Sequence, residues 1–129
     1  MWIQKLIKKP LLIYIGTITW FALVFYACLK PSSSFPKVSI PHLDKLVHLL
    51  MFLGVAFLTM LWRSVKKQRI LDFKTSASRA ILISFVMGFG IEILQSTPLI
   101  QRGFEWADVL FDMIGAVAGV YLFTKLIMP

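Results

Sequence analysis

Four apolar stretches, each about as long as a bilayer is thick, divide this chain, and the polar side chains inside them gather toward one end of the stretches. A hydrocarbon core of ~30 Å takes ~20 helical residues. Runs near that length cover about residues 10–29, 43–62, 80–95 and 105–128. Inside a bilayer each backbone N–H and C=O must find a partner within the protein, which favours helices. The expected fold is therefore all-α: a polytopic membrane protein of four transmembrane helices, with residues 1–129 forming one membrane domain. Composition agrees, since a hydrophobic fraction of 58% and a mean hydropathy of +0.79 exceed the roughly 45–50% apolar content of soluble domains.

A net charge of +8 raises the question of nucleic acid. The basic residues sit in short segments between apolar runs and form no basic stripe interleaved with aromatics, so no nucleic-acid partner is expected. They read as topology signals. With an inside N-terminus, Lys5, Lys8, Lys9, Arg63, Lys66, Lys67, Arg69, Lys74, Arg79 and Lys125 lie on the cytoplasmic side, against Lys30, Lys37, Lys45 and Arg102 outside. That bias places both termini on the cytoplasmic side. The basic segment 63–79 is expected to contact anionic lipids. The single Cys28 cannot form an intramolecular disulfide.

The connections follow from turn chemistry. Residues 30–42 hold three prolines and four serines, which is loop composition. Pro41 suits the first turn of the second span, and Asp44 complements the dipole there. Pro98 stops the third span near Thr97. The first span has the charge-then-apolar grammar of a signal peptide. Its length exceeds the ~7–15 residues of a cleaved signal, and bulky Phe25 and Tyr26 precede Ala27-Cys28, so an uncleaved anchor is expected.

The polar residues fall on definable helix faces. Asp44 and His48 are one turn apart, as are Glu92 and Gln95. Asp108, Asp112, Gly115 and Gly119 trace one stripe, with carboxylates at one end and a Gly-x-x-x-Gly packing seam at the other. At ~1.5 Å per residue, Asp112 lies ~10 Å further along its helix than Glu105, too deep for an ionised acid to face lipid. Five acids (Asp44, Glu92, Glu105, Asp108, Asp112) stand against Lys45, Arg102 and titratable His48. Either some are protonated or a cation or donor-rich ligand completes the site.

Each residue has more than one reading. His48 is a hydrogen-bonded core histidine, a proton carrier or a metal ligand. With His42 outside the helix, and no paired-histidine motif, no metal and no cofactor is expected. Glu92 is a site acid or a structural partner of Lys45 or Arg102. Gln95 is an interhelical hydrogen bond or a ligand contact. Arg102 has the fork for a phosphate or for a neighbouring acid, and Asp108 is a helix-start acid or part of the site. Trp106 and Glu105 are expected at the interface.

The pattern Asp44-Lys45-x-x-His48-x-x-x-Phe52, then Glu92-x-x-Gln95, Arg102, Asp108, and Gly115 with Gly119 resembles the VanZ-like family of bacterial membrane proteins. The resemblance covers about residues 44 to 119, and it departs at Asp112, where the family often has asparagine. It implies a cell-envelope role and antibiotic resistance in the form of lowered susceptibility to the glycopeptide teicoplanin. Four functions stay open: binding or altering a lipid-linked envelope precursor at the outer leaflet, an intramembrane hydrolase or transferase, a non-enzymatic assembly subunit, and transport. Membrane lipids are the other expected partner, and the sequence sets no oligomeric state.

Overall fold

Each apolar run is a helix in the computed structural model, which describes residues 2–30, 42–66, 73–100 and 102–128. A short α1 (Trp2–Ile7) breaks at Lys9, and Pro10 opens α2 (Pro10–Leu29), where its missing N–H costs no helical bond. Then follow α3 (Leu43–Lys66), α4 (Phe73–Gln95) and α5 (Trp106–Ile127). Among the described residues there is no strand. Helices α2 to α5 are long and apolar enough to cross a membrane. Pro41, most of the proline- and serine-rich connection, and 67–72 of the basic segment lie outside the described residues.

Two helices run past the expected apolar limits. α3 continues to Lys66 instead of ending near Trp62, and α4 begins at Phe73 instead of near residue 80. Helical hydrogen bonding does not require apolar side chains, so hydropathy marks only the lipid-facing part. In the extra turns Ser64, Val65, Ser76 and Ala77 are buried while Lys74 and Arg79 face out, and Arg63 Nε donates to Ser76 Oγ at 3.3 Å. α5 starts one residue later than expected, because Glu105 is extended.

α3 is the centre of the bundle, and its broadest contact is with α5. Glycine sets that approach. A Cβ on Gly115 would collide with the Leu49 carbonyl oxygen, and one on Gly119 with that of Leu53. α2 docks on α3 through Trp20, whose indole N–H donates to the Met51 carbonyl at 3.0 Å and whose ring fills the space over Gly54. The core has two parts. One is built around Ala56, Met60, Ala80, Ala116 and Phe123, and the other around Val24, Phe52, Val55 and Ile91.

Outward faces are apolar: Leu11, Ile18, Tyr26, Leu82, Val86, Leu110 and Tyr121 are all exposed. So broad a surface suits lipid and not water. Buried hydroxyls are satisfied within their own helices. Thr17, Thr59, Ser64 and Ser84 each donate to the carbonyl four residues back, at 2.7–3.0 Å.

Candidate functional site

The polar residues that lack such local partners collect at the end of the bundle where α3 and α5 begin and α4 ends. Lys45, in the first turn of α3, is the hub of the rim. Its ammonium donates to Asp44 at 2.7 Å, to Asp108 Oδ1 at 2.6 Å, and to Glu105. Asp44 and Glu105 are about half exposed at 49% and 53%, whereas Asp108 lies beneath at 7%. Asp44 thus belongs to the mouth of the cluster and not to its floor.

One turn deeper, buried His48 has Nδ1 2.8 Å from Asp112 Oδ1 and Nε2 3.7 Å from Asp108 Oδ2. A carboxylate accepts, so in the short contact Nδ1–H donates to Asp112, and Nε2 faces Asp108. Glu92 comes from α4. Its Oε2 accepts the Glu105 backbone N–H at 3.0 Å, while Oε1 is buried without a hydrogen-bond partner. One donor atom each from His48, Glu92 and Asp108 lies within 4.8 Å of the other two.

Asp112 Oδ2 is the other buried oxygen without a partner among the described residues. It rests over Gly88 of α4, where a Cβ would come within 2.6 Å of it. Gly88 therefore makes room for the carboxylate that orients His48. Glycine is also required at Gly103, in the left-handed region at φ 78°, where the chain turns between α4 and α5. Phe89, Phe104 and Trp106 pack their rings together and hold this turn against α4.

Gln95 and Arg102 converge elsewhere. Gln95 Nε2 at 2.6 Å and Arg102 Nη1 at 3.0 Å both donate to the Cys28 carbonyl, and the Arg102 N–H donates to the Gln95 carbonyl. Cys28 is in the last turn of α2, where carbonyls lose their helical partners. These two residues thus seal the end of α2 to α4. Gly115 and Gly119 sit below the acids as the seam with α3. Glu105, one of the five acids expected there, joins the cluster at the rim, and Gly88 joins it although it does not stand out in sequence. The one signal for Gly88 is its place one turn before Glu92 on the same face.

Two donor sets have cation-like spacing: buried His48, Glu92 and Asp108, and the rim set Asp44, Glu105 and Asp108. The Lys45 ammonium already occupies the rim set. The deeper group can move a proton, since an imidazole held by a carboxylate at one nitrogen is poised as a general base at the other. The Ser96 and Thr97 hydroxyls donate to the Ile93 and Leu94 carbonyls at 2.6 and 2.7 Å.

The profile of the VanZ/LLP1 family matches residues 5–128, which span every helix that contributes to this cluster. The chain belongs to the VanZ/LLP1 family. No curated protein and no solved structure matches it. The VanZ/LLP1 match extends beyond the motif-bearing residues to include α2, which the Gln95 and Arg102 contacts tie to the rest of the bundle. At the opposite end, this VanZ/LLP1 chain has a groove of about 440 Å³ between α2, α3 and α4, lined by Ile18, Phe21 and Ile83 with Arg63 and Lys66 beside them.

Proposed function

We propose that this VanZ/LLP1 protein lies in the bacterial cytoplasmic membrane with both termini inside, and that its outward polar cluster binds or alters a lipid-linked envelope component. The consequence at the cell surface is lowered teicoplanin susceptibility. The observation that carries this reading is the buried Glu92 carboxylate with one oxygen unpartnered. Leaving a buried polar atom unsatisfied costs ~1–3 kcal/mol, and membrane hydrogen bonds average only ~0.6 kcal/mol. A cluster built only for stability would not leave that oxygen open.

Glu92→Gln keeps size and removes charge, and His48→Gln keeps a polar group and removes titration. In a susceptible host both variants are expected at wild-type membrane levels with protection lost, while Leu50→Ile, on an exposed position, keeps it. Inhibitory concentration measured beside membrane abundance is the readout. Variants that protect fully would make the cluster structural, and an intact protein without an envelope phenotype would overturn the reading.

The orientation has its own test. Ser78 is exposed near the start of α4, whereas Ser76 is buried and Cys28 is buried and quiet. A membrane-impermeant maleimide is expected to label Ser78→Cys only after permeabilisation. Labelling in intact cells would turn the cluster toward the cytoplasm.

A second reading is favoured by the His48–Asp112 pair, which has the arrangement of a general base in a hydrolase or transferase. Turnover of a lipid-linked phosphoester by purified protein, abolished by His48→Gln, would select it over binding alone. The groove flanked by Arg63 and Lys66 suits an acyl chain below an anionic headgroup, in keeping with membrane lipids as partners.

A further inference from the structure

The floor of the cluster brings one imidazole and two carboxylates from three helices to within 4.8 Å of one another. His48 Nδ1 is engaged by Asp112 at 2.8 Å, so Nε2 faces Asp108 Oδ2, 3.7 Å away. A bare nitrogen facing a carboxylate is repulsive, so either a second ring proton or a bound cation lies between them. The Lys45 ammonium does not fill that place, because it binds the other oxygen, Asp108 Oδ1, from the rim. Glu92 approaches from the third helix with a buried oxygen that has no hydrogen-bond partner among the described residues. Its exposure is 0%, against 3% for His48 and 5% for Asp108.

We propose that His48 Nε2, Glu92 and Asp108 bind a divalent transition-metal cation such as Mn²⁺ or Zn²⁺, with Asp112 holding the imidazole from behind. Ligands at ~2.0–2.2 Å around a tetrahedral ion lie roughly 3.4 Å apart. The His48–Asp108 spacing of 3.7 Å is within a few tenths of that, and the Glu92 oxygen lies no more than 4.8 Å from either partner, so it has to close in by ~1.4 Å at most. One imidazole with two carboxylates is a borderline-to-hard donor set, which suits Mn²⁺ or Zn²⁺. An Asp that accepts the other ring N–H fixes the tautomer and raises the basicity of the ligating nitrogen, the usual outer-shell arrangement. Charge points the same way: five carboxylates stand against the two permanent cations Lys45 and Arg102 at this end. Three protein ligands leave positions open for water or a phosphate oxygen. The inference goes beyond the envelope reading, because the cation binds whether or not a substrate is present.

The test uses the full chain in detergent, stripped with EDTA and titrated with Mn²⁺ and Zn²⁺ by calorimetry. One equivalent per chain is expected, with a rise in melting temperature on binding. Asp112→Asn should weaken affinity about 10–100-fold, and Glu92→Gln should weaken it at least as much, while Asp44→Asn at the rim should leave it near wild type. Spin-echo spectra of Mn²⁺ on the unmodified protein should show one imidazole nitrogen, a readout that needs no variant to fold. Helical protein that takes up neither ion overturns the proposal. So does Mn²⁺ without nitrogen coupling, or binding lost in Asp44→Asn but kept in Glu92→Gln, which would move the ion to the rim.

Discussion

Gly115→Ala is expected to lower the amount of folded protein sharply, whereas Gly90→Ala, the same change on a neighbouring helix, is expected to be neutral or mildly stabilising. A Cβ at Gly115 would run into the Leu49 carbonyl oxygen, with its carbon at 2.9 Å and the Leu49 Cα at 3.0 Å, while one at Gly90 meets nothing within 4 Å. What blocks Gly115 is backbone, which cannot rotate away, so α3 and α5 must separate. Overpacking costs ~1–3 kcal/mol and occasionally more. At Gly90 the intrinsic preference of helices for alanine, up to ~1 kcal/mol, is unopposed. The damage would also reach the site, since Leu49 is next to His48 and helix separation stretches the 2.8 Å contact to Asp112. Detergent-solubilised yield and melting temperature of the two variants give the comparison. Equal stability would mean that the seam between α3 and α5 is not the contact that holds the bundle.

The seam was legible beforehand because Asp108, Asp112, Gly115 and Gly119 recur at helical spacing, and small residues on one stripe mean close approach. The number of long helices was legible too, since lipid demands uninterrupted apolar length. Their ends were not. The turns at 63–66 and 73–79 are helical without being apolar, because small buried residues such as Ser76 and Ala77 pack there while lysine and arginine face out.

Within the site, side-chain type told which residues would be costly in lipid, and spacing told which shared a face. Neither could tell partners. Gln95 and Arg102 have the chemistry of ligand contacts, yet both donate to a backbone carbonyl at Cys28, and no sequence pattern advertises a carbonyl. Glu105 has the composition of an interfacial residue, but its backbone N–H is the donor that positions Glu92. Gly88 matters through the space it leaves for Asp112, which depends on how α4 and α5 are rotated about their axes.

Lys45→Met should be the most damaging single charge change in the chain. The ammonium is 13% exposed and binds three carboxylates that come from the start of α3, the turn before α5 and the first turn of α5. Without it Asp44, Glu105 and Asp108, whose oxygens lie within 4.8 Å of one another, repel with no permanent positive charge among them. Removing one partner of a buried pair costs ~3–5 kcal/mol, because the remaining charge stays in a poorly solvated place. Asp108, at 7% exposure, bears most of that cost; Asp44 and Glu105 can turn toward water. Adding Asp108→Asn to Lys45→Met should therefore restore part of the lost stability, since it removes the stranded charge, while adding Asp44→Asn should restore little. Contacting residues couple by ~0.5–3 kcal/mol, enough for a thermal-melt cycle to resolve. A Lys45→Met protein as stable as the wild type would show the cluster to be screened like any surface ion pair. Loss of stability rescued at Asp108 but not at Asp44 would place the energetic weight one turn inside the rim, directly above His48 and Glu92.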